Sequence, residues 1–131
     1  MQTKEEALNR LSRSAFRRRF RLDAADRAYI EAKGWETVRK HTADFVRTKL
    51  APAYPVNDGK QTPMRGHPAF RAMHGCACCC RDCLNKWYRV PKGVPLSESQ
   101  QERITALLMY WMHAQYDGPN GPGSAEGGDR G

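Results

Sequence analysis

The sequence predicts a small all-α domain of about five helices, with a metal-stapled Cys/His loop and a disordered C-terminal tail. Apolar residues recur at the 3.6-residue period of a helix in several segments, and two of these segments open with a capping-box pattern. All five cysteines lie within eight consecutive positions, beside a histidine. The chain has 131 residues, enough for one modest hydrophobic core and too few for two. We therefore expect one helical metal-binding domain over residues 1–116 and a Gly/Pro-rich tail over residues 117–131.

The first fifty residues predict three helices. Thr3 and Glu6 form a Thr-x-x-Glu capping box that begins the first helix. Asp23 is a good N-cap for a short second helix that Gly34 ends, and the apolar residues of the segment 36–50 fall on one face of a third. Two helices joined at one glycine indicate a helical hairpin or a helix-turn-helix, and hairpins are common in all-helical domains.

The second half of the chain predicts a loop and two more helices. Residues 51–66 contain three prolines and an Asn-Asp-Gly turn, which is typical of an ordered or functional loop. Pro68 suits the first position of a fourth helix, with His67 as its N-cap and His74 at its end. Ser97 begins the last helix with a second capping box, and the apolar face of this helix is expected to lie in the core.

The composition indicates a basic cytoplasmic protein without a membrane segment. Its formal net charge is +8, from 22 Lys and Arg against 14 Asp and Glu. A charge of that size favours nucleic acid or an acidic protein as partner, although a merely soluble basic surface has the same composition. No run of 18 apolar residues exists, and the N-terminus lacks the apolar stretch of a signal peptide. Five is an odd number of cysteines, and neighbours such as Cys78, Cys79 and Cys80 cannot bridge to one another without severe backbone strain. A secreted disulfide framework is therefore a poor account, and a reducing compartment is expected.

Six arginines and no acidic residue lie between Arg10 and Arg21, with Phe16 and Phe20 among them. They form either a solvated helix face or a phosphate-binding surface, for which the bidentate guanidinium is well suited. A second group of basic residues surrounds the cysteines. The residues that we predict to contact nucleic acid are Arg13, Arg17, Arg18, Arg19, Arg21, Arg65, Arg81, Lys86, Arg89 and Lys92.

The cysteine-rich segment reads HGCACCCRDC and predicts a metal site. Thiolate and imidazole are the ligands of zinc, which takes four donors in a tetrahedron. His74, either Cys79 or Cys80, and Cys83 supply three donors, and His67 or a further cysteine supplies the fourth. Single cysteines are often small buried apolar residues, but five within eight positions are poorly explained in that way. An iron-sulfur cluster is the alternative, although the crowded spacing does not match the familiar cluster motifs.

The segment 66–93 also resembles a family of short bacterial and phage proteins known as a domain of unknown function. The resemblance rests on the patterns GHPxFxxxH, CCRxCLxKW and PKG, and it extends from Leu11 to Met112. In the family pattern the positions of Cys76 and Cys78 are not cysteine. The resemblance therefore implies a ligand pool of His67, His74, Cys79, Cys80 and Cys83. It implies no established activity.

The predicted function is that of a small basic zinc-binding protein, acting as a nucleic-acid-binding or regulatory module. A metal- or thiol-dependent enzyme is the alternative, in which zinc activates water or a low-pKa cysteine beside Arg81 attacks a substrate. A phage-encoded modulator that binds a host protein would have the same sequence features. No residue of the sequence determines a substrate, a target sequence or an oligomeric state.

Overall fold

Seven helices and no strand are found in residues 3–118, the part of the chain that this computed structural model describes. The predicted all-α class is confirmed. The helices are α1 (Lys4–Leu11), α2 (Ala15–Arg18), α3 (Ala24–Lys33), α4 (Trp35–Phe45), α5 (Pro68–Gly75), α6 (Arg81–Tyr88) and α7 (Glu98–Asp117). A π-helical turn, Val46–Leu50, continues α4. Helices α2 and α6 are additional to the five that the sequence predicts.

The arginine-rich segment is divided between two helices. α1 begins at the predicted capping box, where Thr3 and Glu6 each accept the backbone N–H of the other. It ends at Leu11, and Ser14 then caps the short helix α2 by accepting a hydrogen bond from the Arg17 N–H. Because of this break, Arg17 lies on a different helix from Arg10, and its side chain turns toward the interior.

Helices α3 and α4 pack against each other as a pair joined at Gly34. Asp23 caps α3 as predicted, with Asp26 completing the capping box. Gly34 has a φ of 84°, a conformation that glycine adopts without steric cost. It is both the C-cap of α3 and the N-cap of α4. After the π-helical turn, the loop 51–67 connects α4 to α5, and the cysteine-rich segment follows α5.

The long helix α7 lies at the centre of the fold. It packs against α4, α5 and α1, and its predicted apolar face is buried, with Leu108 and Met112 fully enclosed. Met73 of α5 and Leu84 of α6 are also fully buried in this core, so that the two helices bring the cysteine-rich turn against it.

The predicted disordered tail, residues 117–131, lies outside the described residues apart from Asp117 and Gly118, and Asp117 is the last residue of α7. Across residues 3–118, no helix combines the length and the apolar character that crossing a membrane requires.

Candidate metal centre

The candidate centre lies in the turn that joins α5 to α6. α5 ends at Gly75, where an added Cβ would come within 2.9 Å of the Trp111 ring, so the glycine lets the turn pack directly on the core. Ala77 then adopts a left-handed conformation with φ of 60°, which is uncommon for residues other than glycine. Cys80 caps α6, and its Sγ accepts the N–H of Cys83 at 3.4 Å. The sequence contains two consecutive Cys-x-x-Cys patterns, Cys76/Cys79 and Cys80/Cys83, and the second lies in the first turn of α6 with its cap.

Three sulfur atoms converge at this turn. The Sγ atoms of Cys79, Cys80 and Cys83 all lie within 4.8 Å of one another, and those of Cys79 and Cys83 are 3.6 Å apart. This separation is much longer than a disulfide bond, and all five cysteines are free. Zinc–sulfur bonds of about 2.3 Å in a tetrahedron place sulfurs about 3.8 Å apart. The spacing is therefore that of a site that can hold a metal ion.

A buried guanidinium lies against these sulfurs. Arg17 is only 9 % exposed, and its Nη2 donates to the Cys83 Sγ at 3.2 Å. Its Nη1 donates to the carbonyl of His74 at 2.7 Å and lies 3.7 Å from the Cys79 Sγ. No ion pair between Arg17 and a carboxylate occurs within residues 3–118. The cysteine sulfurs are therefore the groups that can carry the negative charge facing this cation.

The surroundings of Cys79, Cys80 and Cys83 give their three thiols different pKa values. The hydrogen bond between Cys79 and Cys83 and the guanidinium of Arg17 lower the pKa of Cys79 to about 7, against the raising effect of burial. The hydrogen bond to Cys79 and burial raise the pKa of Cys83, and burial raises the pKa of Cys80. Burial would lower the pKa of Arg17, but its hydrogen bonds to Cys79 and Cys83 outweigh this effect and raise it. Cys79 is thus the first of the three thiols to ionise.

His74 projects from the last turn of α5 with one ring nitrogen engaged. Its Nε2 lies 3.1 Å from the carbonyl of Thr62 and 3.2 Å from that of Pro63, so this nitrogen carries the proton and donates. The ring stacks on Phe20 at 5.2 Å. Burial lowers the pKa of His74, which keeps the imidazole neutral and leaves the lone pair of Nδ1 available. A ring whose N–H is held by a backbone carbonyl is the arrangement found for metal-binding histidines. His74 nevertheless lies outside the close group of three sulfurs.

The structure does not bring His67 to the sulfurs. Its Nδ1 caps α5 by accepting the N–H of Ala69 at 3.0 Å, which fixes the proton on Nε2. That Nε2 faces the Nδ1 of His41 at 3.2 Å, and the hydroxyl of Tyr29 lies 3.0 Å from the same His41 nitrogen. Both nitrogens of the buried His67 ring are therefore occupied. The predicted cap is confirmed, whereas the expectation that His67 and His74 face one metal is corrected, because His67 faces His41 instead.

Cys76 and Cys78 also lie apart from the three sulfurs. Both are fully buried, and the Cys78 Sγ donates weakly to the carbonyl of Cys76 at 3.5 Å. Burial raises the pKa of both thiols, so they stay protonated. They pack as small core residues, which agrees with the implication of the resemblance that these two positions need not be cysteine.

The residues predicted to bind nucleic acid fall into two groups. Arg17 is buried at the sulfurs, and Arg81 is only 1 % exposed, so neither guanidinium can contact a polyanion, and the prediction is corrected for both. Arg81 donates to four backbone carbonyls, those of Leu50 and Pro52 where the π-helical turn meets the loop and those of Pro91 and Val94 after α6. The low-pKa cysteine accordingly lies beside Arg17 and not beside Arg81. The other predicted residues are all exposed: Arg13, Arg18, Arg19, Arg21, Arg65, Lys86, Arg89 and Lys92.

Two residues that support the centre carried no signal for this role in the sequence. The hydroxyl of Thr62, in the loop before α5, donates to the carbonyl of Cys79 at 2.8 Å. The hydroxyl of Tyr88, at the end of α6, donates to the carbonyl of Cys76. Each joins the turn to a separate segment of the chain. For Arg17 the sequence did contain a signal: the arginines of the segment 10–21 have no acidic residue among them that could balance their charge.

The family model described as "Domain of unknown function (DUF4186)" matches residues 5–113, which include all the helices except the first residue of α1 and the end of α7. The chain belongs to this family. The family resemblance inferred from the sequence is thereby confirmed. No solved structure matches the chain.

Proposed function

We propose that residues 1–116 form a domain built around one zinc ion, bound by the thiolates of Cys79, Cys80 and Cys83 and by Nδ1 of His74. The observation that carries this proposal is the buried guanidinium of Arg17, which donates to two of the three sulfurs and has no carboxylate partner in the described residues. A buried cation requires an anionic partner. Metal-bound thiolates supply that partner.

The charges of the proposed site balance. One zinc ion, three thiolates and a neutral imidazole sum to a net charge of −1, and the guanidinium of Arg17 brings the total to zero. Hydrogen bonds to ligand sulfurs from a neighbouring side chain are typical of the groups that orient and tune metal ligands. Arg17 therefore acts as the counter-charge of the centre, and its burial follows from that role.

The donor set favours zinc over an iron-sulfur cluster and a structural site over a catalytic one. Clusters are usually held by four cysteines, whereas three sulfurs group together here and the remaining two thiols are held in the core. A zinc site whose four positions are all filled by protein ligands is structural. Structural zinc contributes on the order of 10 kcal/mol to the folding of small domains. Cysteines that are not joined in disulfides are typical of a reducing compartment, and we infer that the protein is cytoplasmic.

The test is to purify the full chain anaerobically, record its absorption spectrum and determine its bound metals. We expect a colourless protein with one zinc per chain. In the variant Cys83→Ser, we expect loss of zinc and a large fall in thermal stability. The double variant Cys76→Ser/Cys78→Ser is the control and keeps its zinc. A brown, iron-containing protein, or full zinc content and unchanged stability in Cys83→Ser, contradicts the proposal.

A second candidate function, nucleic-acid binding, is favoured by the exposed arginines of the segment 10–21. Arg13, Arg18, Arg19 and Arg21 are all exposed, and the ion pairs found across residues 3–118 involve none of them. Guanidinium groups that lack acidic partners are free to contact phosphates. We infer that this surface binds the sugar-phosphate backbone.

Phosphate contacts predict a binding affinity that falls steeply with salt. Arg18→Ala/Arg19→Ala should weaken binding to all sequences alike, because such contacts position a nucleic acid without reading its bases. Arg39→Ala/Lys40→Ala removes the same charge from the exposed side of α4 and is the control. Absence of any affinity for single-stranded or duplex DNA or RNA at low salt contradicts this second candidate.

A further inference from the structure

We propose that a recess beside the metal centre accepts one unpaired base of a single-stranded nucleic acid, with the adjoining phosphates on Arg19 and Arg65. This inference rests on the second candidate function, the binding of nucleic acid, and names the kind of nucleic acid that is bound. It assigns a role to the exposed ring of Phe16, whose centre also lies 4.9 Å from the guanidinium of Arg17.

The recess lies between α2, with the two residues that follow it, and the loop that precedes α5, together with Arg71 of α5 itself. Its volume is about 280 Å³, close to the lower end of the volumes of small-molecule sites, about 300 Å³, and suited to one flat ring system. One wall is formed by Phe16, Arg19 and Phe20, and the other by Met64, Arg65 and Arg71. Apolar and cationic groups therefore face each other across the recess.

The wall on α2 offers flat surfaces on which a base can stack. Phe16 is 46 % exposed although it is a large apolar residue, and its ring meets that of Phe20 edge to face at 5.2 Å. The guanidinium of Arg19 lies 5.6 Å from the centre of the Phe16 ring. Aromatic rings and guanidinium planes are the groups on which unpaired bases stack. On the opposite wall, the 56 % exposed side chain of Met64 supplies an apolar surface.

Both walls are fixed to the candidate metal centre. The neighbour of Phe16 in the chain, Arg17, donates to the sulfurs and so anchors α2. The loop before Met64 is anchored by Thr62, which donates to the carbonyl of Cys79, and by His74, which donates to the carbonyls of Thr62 and Pro63. The recess is thus held open by bonds that converge on the centre, which gives it the preformed shape expected of a binding site.

The charges at the recess suit phosphates. Arg71 is neutralised by Asp23, at 2.6 Å, and by the buried Asp26, at 3.3 Å. Arg19 and Arg65 are exposed and form none of the ion pairs found between residues 3 and 118. Two cations without an ion-pair partner among the described residues therefore remain at the recess, beside the apolar side chains of Phe16, Phe20 and Met64. A duplex cannot use this arrangement, because both faces of each paired base are covered by its neighbours, and single strands are the substrate.

The test measures fluorescence anisotropy of labelled oligothymidylate, oligouridylate and a duplex of the same length, with the zinc-loaded full chain. We expect the single strands to bind more tightly than the duplex. Phe16→Ala should weaken single-strand binding about tenfold, the effect of losing one base–aromatic stack, and Phe16→Tyr should retain the affinity. Tyr54→Ala removes another exposed ring, 83 % exposed and outside the recess, and should change nothing. Arg19→Ala/Arg65→Ala should reduce the salt slope by about 1.4, or about 0.7 for each phosphate.

The outcomes separate this inference from the function on which it rests. Binding of single strands and duplex with equal affinity, unchanged by Phe16→Ala, overturns the base site while nucleic-acid binding stands. Absence of binding to all three probes overturns both. Uridine monophosphate serves as the free-nucleotide probe: if it binds as tightly as oligouridylate, the recess takes a free nucleotide and the single-strand assignment is wrong. Zinc content and thermal stability equal to wild type in Phe16→Ala ensure that lost binding is not lost folding.

Discussion

Replacement of Arg17 by glutamine tests the proposed counter-charge of the metal centre most directly. The guanidinium donates three hydrogen bonds: 2.7 Å to the carbonyl of His74, 3.2 Å to the Cys83 Sγ and 3.7 Å to the Cys79 Sγ. Glutamine keeps a polar amide of shorter reach and removes the positive charge. The site would then hold a net charge of −1 in the interior without a neighbouring cation.

The magnitude follows from the two contacts with sulfur. Hydrogen bonds that involve a charged group are worth about 1.5–3 kcal/mol, but sulfur is a weak acceptor and one of the two contacts is long, so about 1 kcal/mol each is reasonable. A total of about 2 kcal/mol corresponds to a loss of zinc affinity of about 30-fold. This lies within the range of about 10–100-fold that is typical when a partner of a metal ligand is removed.

The assay is competition for zinc with a chromophoric chelator under anaerobic conditions. The adjacent Arg18→Gln is the control, because Arg18 is exposed and the change removes the same group from the surface. Arg17→Lys keeps the charge but loses the fork of donors, and we expect a zinc affinity between those of wild type and Arg17→Gln. Equal zinc affinity in Arg17→Gln and Arg18→Gln would refute the assignment of Arg17 as counter-charge.

The remaining three predictions concern the pH dependence of His67, the hydrogen bonds of Arg81 and the removal of the metal. Burial, together with the charge of His41, lowers the pKa of His67 from 6.5 to about 4, so the unfolded chain binds more protons in this interval. The free energy of unfolding should therefore fall by up to about 3 kcal/mol as the pH falls from about 6.5 to about 4, and His67 should have no such effect above about pH 6.5. The variant His67→Asn keeps an N-cap and should lose this part of the pH dependence, measured by urea unfolding at each pH. Arg81→Met leaves four backbone carbonyls without their donor and should lower the free energy of unfolding by about 3 kcal/mol. The control Arg89→Met, at an exposed position, should lower it by less than about 0.5 kcal/mol in the same urea titration. Chelation of the metal should raise amide hydrogen exchange in residues 76–88 more than in α7, and equal protection with and without chelator would contradict a structural zinc.

The local elements of this fold were predictable because they depend on residues close together in the chain. The capping boxes at Thr3 and Ser97 and the caps of Asp23 and His67 are found where the sequence predicts them. Each needs a side chain to reach a backbone group only two or three residues away. The buried face of α7 was predictable for a related reason, because the 3.6-residue period selects one face of a long helix for the core.

The candidate site was predictable only in part. The density of cysteines indicated a metal site, and the structure groups Cys79, Cys80 and Cys83 through the cap of α6, a helix additional to those that the sequence predicts. Which groups the two histidines contact was decided by the tertiary structure. His67 and His74 are seven residues apart, but one ring is held by His41 and the other by the loop carbonyls of Thr62 and Pro63.

The sequence by itself determined the helical class, the helix caps and the location of the candidate metal-binding segment, since these depend on local spacing and on the chemistry of residue types. Only the tertiary structure decided what the arginines do. Arg17 reaches Cys83, 66 residues away, and Arg81 reaches carbonyls 31 residues before it and 13 after it, whereas Arg18 and Arg19 remain on the surface. In the sequence these arginines look alike. The break between α1 and α2 turns one of them inward, and burial then requires it to find anionic or carbonyl partners that only long-range packing can supply.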